Sequence, residues 1–318
     1  MEGFLVAATF WQSYLQNVTQ LRQVRREPVV QQSPIEIKNP EYFPPAYQRR
    51  KEKAKEFFSR IARPSKLVQK ISLKEDVPVS IQVEKPNGST IIFSPHPDDE
   101  VLCCSDVIRR IVSDKGDVKI IFLTDGDGLQ NSTYDQAQAY GRVRKRESSV
   151  AARFLGLEVS DLFFLNFPDR HLSDLGNQQL LRSQYTGQNH TNWDSYFASM
   201  PYSRDVLKKN LTTLLKQIAP VQVYIPSETK DTHPDHQATS RLVREILSEN
   251  GLSPAVFEYT VHGQVVDEAE KIAVNSKKLR LIQFFRSQFH DKFHKNVMEQ
   301  FAYIKEVFDE VSDKIAEK

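Results

Sequence analysis

The sequence predicts an α/β fold, a Rossmann-like three-layer sandwich in which helices cover both faces of a mostly parallel sheet. From residue 89 onward, short apolar segments alternate with longer segments of helical periodicity. The composition is that of an ordinary globular protein, with 39% hydrophobic and 26% charged residues. A chain of 318 residues can form one such domain and an extension.

The predicted strands are short and rich in Val, Ile, Leu and Phe, and they cover residues 90–93, 118–123, 162–165, 221–225 and 255–261. Helical patterns fill the intervals, at residues 101–112, 137–155, 206–218 and 236–247. Gly156 directly follows the second of these patterns and supplies a stop signal for that helix. Two further helices, at residues 269–288 and 297–315, are predicted to close the domain.

Residues 1–85 differ from the rest and predict a helical and irregular N-terminal extension, which leaves residues 86–318 as the main domain. Apolar residues recur at helical spacing between Phe10 and Leu21, and prolines then interrupt regular structure between Pro28 and Pro45. Basic residues are concentrated in residues 46–74. We expect a solvated helix face there, and a phosphate- or membrane-binding patch is the alternative.

Charge and cysteine content restrict the partners. The formal net charge of +2 is almost balanced, which argues against a nucleic-acid partner. The apolar segment at residues 3–11 is too short to span a bilayer, so we expect no integral membrane segment. Cys103 and Cys104 are adjacent and unsuited to a disulfide framework. A cytoplasmic location follows as the prediction, and a homo-oligomer is compatible with the sequence.

Polar residues follow four of the predicted strands at the point where each strand ends. They occupy residues 94–100, 124–128, 166–171 and 226–236 and are rich in Asp, His or Gly. In open parallel sheets, ligands bind beyond the carboxyl ends of the strands. We therefore expect these four segments to converge on one rim of the sheet and to form a site there.

Two of these segments carry metal-ligand side chains at close spacing. They read Pro95-His96-Pro97-Asp98-Asp99-Glu100 and Asp231-Thr232-His233-Pro234-Asp235-His236. A catalytic zinc takes three protein ligands, commonly His and Asp or Glu, and keeps one position open. The lack of Cys favours zinc with His and Asp ligands, with Fe²⁺, Co²⁺ or Mn²⁺ as other occupants. For the first segment a helix cap is an equally good interpretation, and for the second a capped polar turn is the weaker alternative.

In chain order, these motifs resemble those of a known family. The residues that carry the resemblance are Ser94 to Glu100, Thr124-Asp125-Gly126, Arg144 to Glu147 with Leu155-Gly156, His233 to His236, and Arg286-Ser287-Gln288. Together they resemble the PIG-L/LmbE-like family of zinc-dependent N-acetylglucosaminyl deacetylases over roughly residues 89–290. The two His-Pro-Asp motifs are the specific part of the match, and residues 1–85 lie outside it.

The resemblance implies a role for each matching residue of the two motifs. His96, Asp99 and His236 would hold the zinc ion. Asp98 would be the general base toward a zinc-activated water, a contribution of roughly 10²–10⁴-fold in rate for residues of this kind. His233 would stabilise the oxyanion or protonate the leaving amine.

Five further residues are expected to support these groups. The resemblance implies that Arg144 and Asp169 contact the sugar. Since carboxylates commonly orient functional histidines, Asp231 or Asp235 is expected to orient His233 or to raise its pKa. Glu100 is expected to cap the helix or to support the metal ligands from behind.

The function that the resemblance implies is a metal-dependent hydrolase that removes an acetyl group from a small N-acetylated sugar or glycoconjugate of the N-acetylglucosamine type. Two alternatives remain. A metallophosphoesterase could use the same residues, although phosphate hydrolysis often employs paired metals and the segments offer few ligands for a second ion. A non-catalytic sugar-binding or scaffolding protein on the same fold would give the N-terminal extension the main role.

Three other features have less specific interpretations. The stretch 124–128 lacks the pattern of a phosphate loop, and we interpret it as a rim loop or as a plain turn. The long segment 166–202 mixes aromatic and polar residues, among them Tyr196 and Tyr202, and suits either sugar binding or an ordered surface loop. His262, His290 and His294 are expected to be structural or solvated.

Overall fold

A computed structural model describes residues 88–176, 180–192, 194–197, 199–263, 275–289, 292–303, 306 and 308–311. The predicted N-terminal extension and its helices lie outside the described residues. The boundary between residues 85 and 86 therefore stays a prediction.

The domain is organised around a six-stranded sheet. Its strands are β1 (Ser89–Ser94), β2 (Asp117–Thr124), β3 (Leu162–Phe167), β4 (Gln222–Pro226), β5 (Ala255–Tyr259) and β6 (Asp309–Val311). Their spatial order is β3-β2-β1-β4-β5-β6, and only the β5–β6 pair is antiparallel. The order of successive strands reverses between β1 and β4, which is the topological switch point where such folds bind ligands.

Helices cover both faces of this sheet. They are α1 (Asp99–Ser113), α2 (Tyr134–Phe154), α3 (Arg204–Ile218), α4 (Pro234–Glu249), α5 (Ser276–Ile282) and α6 (Lys292–Gln300). One core contains residues of α1, α2, α5 and α6 packed on Ile92 and Ile120. The other contains residues of α3 and α4 packed on Ile91 and Ile121. Because successive strand residues point to opposite faces, this division confirms the predicted three-layer sandwich.

The five predicted strands and the first four predicted helices are present, with ends that differ by a few residues. The closing region differs more. Within residues 275–289 the helix α5 is seven residues long and a short turn follows at Arg286–Gln288, so a continuous helix to residue 288 is wrong. The helix predicted for 297–315 is also wrong, because α6 ends at Gln300 and β6 adds an edge strand to the sheet. Helical periodicity of a few apolar residues cannot distinguish these outcomes.

The described part of the chain bears on the expectations about membrane-spanning helices and about the two cysteines. No helix there has both the length and the apolar character that crossing a bilayer requires. Cys103 and Cys104 are buried in α1 and have free thiols, as their adjacency predicted.

Candidate metal centre

The carboxyl ends of the central strands bring the two motifs together. Residues 95–98 form the turn that joins β1 to α1, and residues 227–233 form the loop that joins β4 to α4. Since β1 and β4 are neighbouring parallel strands, both loops leave the same edge of the sheet at the switch point. Residues more than a hundred positions apart therefore meet there.

Three ligand-type atoms lie almost equidistant at this edge. His96 Nδ1 is 3.3 Å from Asp99 Oδ2, His236 Nε2 is 3.2 Å from Asp99 Oδ2, and the two ring nitrogens are 3.2 Å apart. Around a tetrahedral ion with bonds of about 2.0–2.1 Å, neighbouring ligand atoms lie roughly 3.3 Å apart. The triangle formed by these three side chains, here called the His96–Asp99–His236 triangle, has the dimensions of one face of a zinc coordination shell.

The other nitrogen of each ring is held by a carboxylate. His236 Nδ1 lies 2.9 Å from Asp231 Oδ2, and His96 Nε2 lies 3.2 Å from both Asp169 Oδ1 and Asp235 Oδ2. In metalloproteins this arrangement fixes the tautomer, because the ring N–H donates to the carboxylate and the other nitrogen keeps a lone pair for the metal. The triangle can therefore present two lone pairs and one carboxylate oxygen to a single point, which is the donor set that a divalent ion requires.

The electrostatics of the triangle favour positive charge. Burial lowers the pKa of His236, but Asp99 and Asp231 more than offset it and bring the pKa to about 9. Burial likewise opposes protonation of His96, yet Asp169, Asp235 and Asp99 hold its pKa well above the usual range. Burial alone would raise the pKa of the Asp99 carboxyl. The two imidazoles outweigh burial and bring the pKa well below its usual range. The carboxylates that stabilise the protonated imidazoles would also stabilise a metal cation at this point.

Further groups of side chains also satisfy the geometry of a metal site. Ligand-type atoms of His96, His233 and His236 lie within 4.8 Å of one another, and the same holds for Asp99, His236 and His262. Both of these groups share two residues with the triangle. A third group combines His96 with Asp169 and Asp235. It is less suited to a metal, because both Asp235 oxygens already accept backbone N–H groups, from Arg170 at 2.6 Å and from Leu172 at 2.9 Å.

Asp98 has an unusual backbone conformation beside the triangle. Its φ is 153° and its ψ is −29°, a region that disfavours residues with a Cβ and costs roughly 1–3 kcal/mol. Asp98 makes no side-chain cap to α1, so the helix-cap interpretation does not apply to it. Its carboxylate instead accepts a hydrogen bond from Arg144 Nη2 at 3.1 Å. Burial raises the pKa of Asp98 to about 6, although Arg144 opposes the rise.

Arg144 connects Asp98 to Asp169 along the rim. Its Nη1 lies 3.4 Å from Asp169 Oδ2 and donates to the Gly126 carbonyl at 3.2 Å. Gly126 has a φ of +67°, and a Cβ at this position would lie 2.8 Å from Arg144 Nη1. A side chain at Gly126 would be strained by this positive φ and would have to displace the Arg144 guanidinium, so glycine is favoured there. Burial opposes ionisation of Asp169, but His96 and Arg144 hold its pKa well below the usual range.

His233 lies beside the triangle, with its ring centroid 4.6 Å from that of His96. Its Nδ1 accepts the Asp235 backbone N–H at 3.2 Å, so the proton of the neutral ring resides on Nε2. The expectation that the Asp231 and Asp235 carboxylates orient this imidazole or raise its pKa is wrong, because they face the rings of His236 and His96 instead. From His233, Asp231 accepts the backbone N–H, at 2.9 Å, and not the ring. Burial and the neighbouring imidazoles lower the pKa of His233 to about 3.

Glu100 supports the turn from inside. Its Oε2 accepts the Asp98 backbone N–H at 2.9 Å and the Ser94 hydroxyl at 3.3 Å. Burial raises the pKa of Glu100 to about 8. Because Asp98 is the N-cap residue of α1, the contact with its N–H fits the capping role expected for Glu100 and also supports the ligand-bearing turn.

Sequence reasoning missed the contacts that Gln288 and Ser287 make near the site. Gln288 Nε2 donates to the Pro97 carbonyl at 3.2 Å. Ser287 donates from its backbone N–H and hydroxyl to Glu147, at 2.8 and 2.6 Å. The Arg286-Ser287-Gln288 signature is visible in the sequence, but only the structure reveals that Gln288 contacts the His96-Pro97-Asp98 turn and that Ser287 contacts α2.

His262 was expected to be structural or solvated, yet its ring lies 4.8 Å from that of His236 and 5.0 Å from that of His233. It follows β5, so the same reasoning about strand ends would have indicated it. The side chains of His290 and His294 lie outside the described residues.

The long segment after β3 contributes polar groups and packed aromatics. Lys145 of α2 donates to Asn166 at 3.1 Å and to Asp194 at 2.9 Å, which ties the segment to the domain. Tyr202 is fully buried in a hydrophobic core and therefore cannot serve as a sugar platform. Tyr196 is half-exposed and packs edge-on against Phe163 of the edge strand β3. Trp193 lies outside the described residues.

Comparison with known families identifies the same family. The family model described as PIG-L: GlcNAc-PI de-N-acetylase matches residues 91–247. Among solved structures, N,N'-diacetylchitobiose deacetylase from Pyrococcus horikoshii is similar at 21% identity and a TM-score of 0.47, covering 70% of this chain and 84% of its own. A zinc-inhibited form of a teicoplanin deacetylase is similar at 14% identity and a TM-score of 0.45, covering 67% and 90%.

A 4-carboxy-2-hydroxymuconate hydratase from Pseudomonas putida KT2440 is also similar, at 16% identity and a TM-score of 0.44, covering 67% of this chain and 82% of its own. The matched family segment extends from β1 into the last turns of α4 and includes both His-Pro-Asp motifs. Residues 91–247 of this chain thus match the PIG-L family model.

Proposed function

We propose that the protein is a divalent-metal-dependent N-deacetylase that removes the acetyl group from an N-acetylated sugar or glycoconjugate. The observation that carries the proposal is the His96–Asp99–His236 triangle, whose three ligand-type atoms are 3.2–3.3 Å apart. When bound, a zinc ion supplies an acidified water and polarises a carbonyl group. Co²⁺, Mn²⁺ or Fe²⁺ would suit the same donor set.

Asp98 is proposed as the general base. An amide is hydrolysed only when water loses a proton as it attacks, so a carboxylate with a pKa near the working pH is an effective acceptor. Burial brings the pKa of Asp98 to about 6 and Arg144 holds one carboxylate oxygen at 3.1 Å. The other oxygen can take the proton from the attacking water and pass it to the nitrogen of the amine as the C–N bond breaks. The hydrogen bond from Arg144 holds the carboxylate in place.

His233 is proposed to stabilise the oxyanion that forms on the acetyl oxygen. The Asp235 backbone N–H occupies Nδ1, so Nε2–H is the donor of the neutral ring. A neutral imidazole is consistent with its lowered pKa of about 3. A hydrogen bond of this kind, made in a site that excludes water, commonly contributes about 10²–10³-fold to turnover.

Arg144 and Asp169 are proposed to bind the sugar hydroxyls. They form a continuous polar edge with Asp98 and His96, because Arg144 contacts Asp98 and Asp169, and Asp169 contacts His96 Nε2. Opposite charges at 3.1–3.4 Å offer paired donors and acceptors, which suit the vicinal hydroxyls of a pyranose. We propose that this activity resides in residues 86–318 and that residues 1–85 form a separate extension.

The test is a side-by-side assay of two substrate classes. Purified full-length protein with Zn²⁺ or Co²⁺ is incubated with N-acetylglucosamine, with N,N'-diacetylchitobiose and with a generic aryl phosphate. Free amine and acetate should appear in equal amounts from one or both acetylated sugars, whereas phosphate release should stay at background. Asp98→Asn should lower the rate of amine release by roughly 10²–10⁴-fold.

Two outcomes would favour the alternatives. Phosphate release faster than deacetylation would indicate the metallophosphoesterase. Tight sugar binding without amine release, unchanged by Asp98→Asn, would favour the non-catalytic protein, and deletion of residues 1–85 would then be expected to remove its function.

A further inference from the structure

His262 is an imidazole at the proposed metal centre that the proposed reaction does not use. It lies three residues beyond the end of β5, on the rim that already contains the loops after β1 and β4. Ligand-type atoms of Asp99, His236 and His262 all lie within 4.8 Å of one another. Asp99 and His236 thus belong to two overlapping sets, one completed by His96 and the other by His262.

The backbone of His262 is fixed relative to the triangle by a single carboxylate. Asp231 Oδ2 accepts the His236 ring at 2.9 Å and the backbone N–H of His262 at 3.1 Å. The Thr232 N–H in turn donates to the His262 carbonyl at 3.1 Å. The loop after β5 is therefore clamped to the loop after β4, while His262 is less buried than the Asp99 and His236 that it faces.

We propose that His262 is an exchangeable fourth protein ligand of the metal. The inference rests on the proposed function, since it assumes that a divalent ion occupies the His96–Asp99–His236 triangle. Zinc and cobalt accept four or five ligands, and a neutral imidazole is among the ligands they prefer. His262 binds the ion when the substrate site is empty, and an incoming acetyl oxygen displaces it.

The placement of His262 differs from that of the other described histidines outside the triangle. His233 Nδ1 is occupied by the Asp235 N–H, and His171 pairs with Asp174 at 3.1 Å. His190 lies next to Asn189 in the segment after β3 and belongs to none of the candidate metal groups among the described residues. His190→Ala therefore makes the same chemical change as His262→Ala away from the centre, and serves as the matched control.

The experiment is a Co²⁺ titration of the metal-free full-length chain, followed by the visible absorption of the bound ion and by competition with a chelator. The variants are His262→Ala, His262→Gln and His190→Ala, with His96→Ala as a positive control. Loss of one ligand should make the spectrum of both His262 variants more intense and closer to that of four-coordinate cobalt. Their affinity for Co²⁺ should fall about tenfold or more, and His190→Ala should match the wild type.

Each outcome bears on a different proposal. If His262→Ala and His262→Gln give the spectrum and affinity of the wild type, the inference is wrong while the proposed centre stands. If the wild type binds no Co²⁺, or if His96→Ala binds it unchanged, the proposed function is wrong as well. Thermal unfolding of His262→Gln, which keeps the backbone bonds to Asp231 and Thr232, distinguishes a lost ligand from a lost fold.

Discussion

Replacement of Asp231 by Ala is the most informative perturbation of the site that avoids the triangle itself. Asp231 is 1% exposed. Its Oδ1 accepts the His233 backbone N–H at 2.9 Å. Its Oδ2 accepts the His236 ring at 2.9 Å and the backbone N–H groups of Val261 and His262 at 2.8 and 3.1 Å. The substitution leaves each of these donors without this acceptor.

The expected cost follows from burial and charge. A hydrogen bond to a charged group contributes about 1.5–3 kcal/mol, but bonds that share one acceptor are not additive. Removal of one partner of a buried ionic contact costs about 3–5 kcal/mol, and we expect Asp231→Ala to destabilise the protein by that amount. In a domain of this size the melting temperature should fall by roughly 6–20 °C. Metal affinity should fall about 10–100-fold, because the His236 ring loses its orienting group.

Asp174→Ala is the matched control for this experiment. Asp174 Oδ2 also contacts a histidine Nδ1, that of His171 at 3.1 Å, but the Asp174 side chain is 56% exposed. We expect a loss of less than about 1 kcal/mol and an unchanged metal affinity. Thermal unfolding in chelator, followed by Co²⁺ titration, measures both quantities. Equal melting temperatures for Asp231→Ala and Asp174→Ala would refute the reasoning from buried acceptors.

Three further predictions concern catalysis and pH. Asp98→Asn should reduce kcat by roughly 10²–10⁴-fold with metal content retained, as measured by acetate release and elemental analysis. Gln288→Ala removes the donor to the Pro97 carbonyl, worth about 1 kcal/mol, and should reduce kcat about fivefold with little change in KM. Burial raises the pKa of Glu147 to about 7, against the opposing Ser287 hydrogen bonds, so the folded state keeps a proton that the unfolded chain releases above its ordinary value of 4.5. The contribution of Glu147 to stability should therefore fall by up to about 3 kcal/mol as the pH rises from about 4.5 to about 7, and Glu147→Gln should make the decline of stability with pH shallower by that amount.

Each of these predictions has a contradicting result. Loss of metal from Asp98→Asn would make Asp98 a ligand rather than the base. A Gln288→Ala variant with wild-type kcat would mean that the turn holds its shape without that donor. A wild-type slope of stability with pH in Glu147→Gln would assign the pH dependence to another group.

The location of the site could be predicted from sequence because it follows from strand order and polarity. Apolar runs indicate the strands, and β1 and β4 are each followed by a segment rich in His and Asp. The carboxyl ends of parallel strands lie at the same edge of a sheet. The α/β assignment alone therefore predicts that His96 and His236 lie close together.

Other features depend on three-dimensional contacts that periodicity does not encode. The sequence allows Asp98 to be a helix cap or a base, but its φ of 153° reflects how Glu100 and Arg144 hold the turn. The reach of Gln288 to the Pro97 carbonyl joins residues 191 positions apart. The edge strand β6 has only three residues, too few for a pattern, and its pairing with β5 takes the place of the predicted closing helix.

The central proposition is that His96, Asp99 and His236 hold one divalent ion. Elemental analysis of the purified wild type, of the three single Ala variants and of His190→Ala tests it directly. About one ion per chain should be found in the wild type and in His190→Ala, and far less in each triangle variant. Full metal content in those three variants would contradict the proposition.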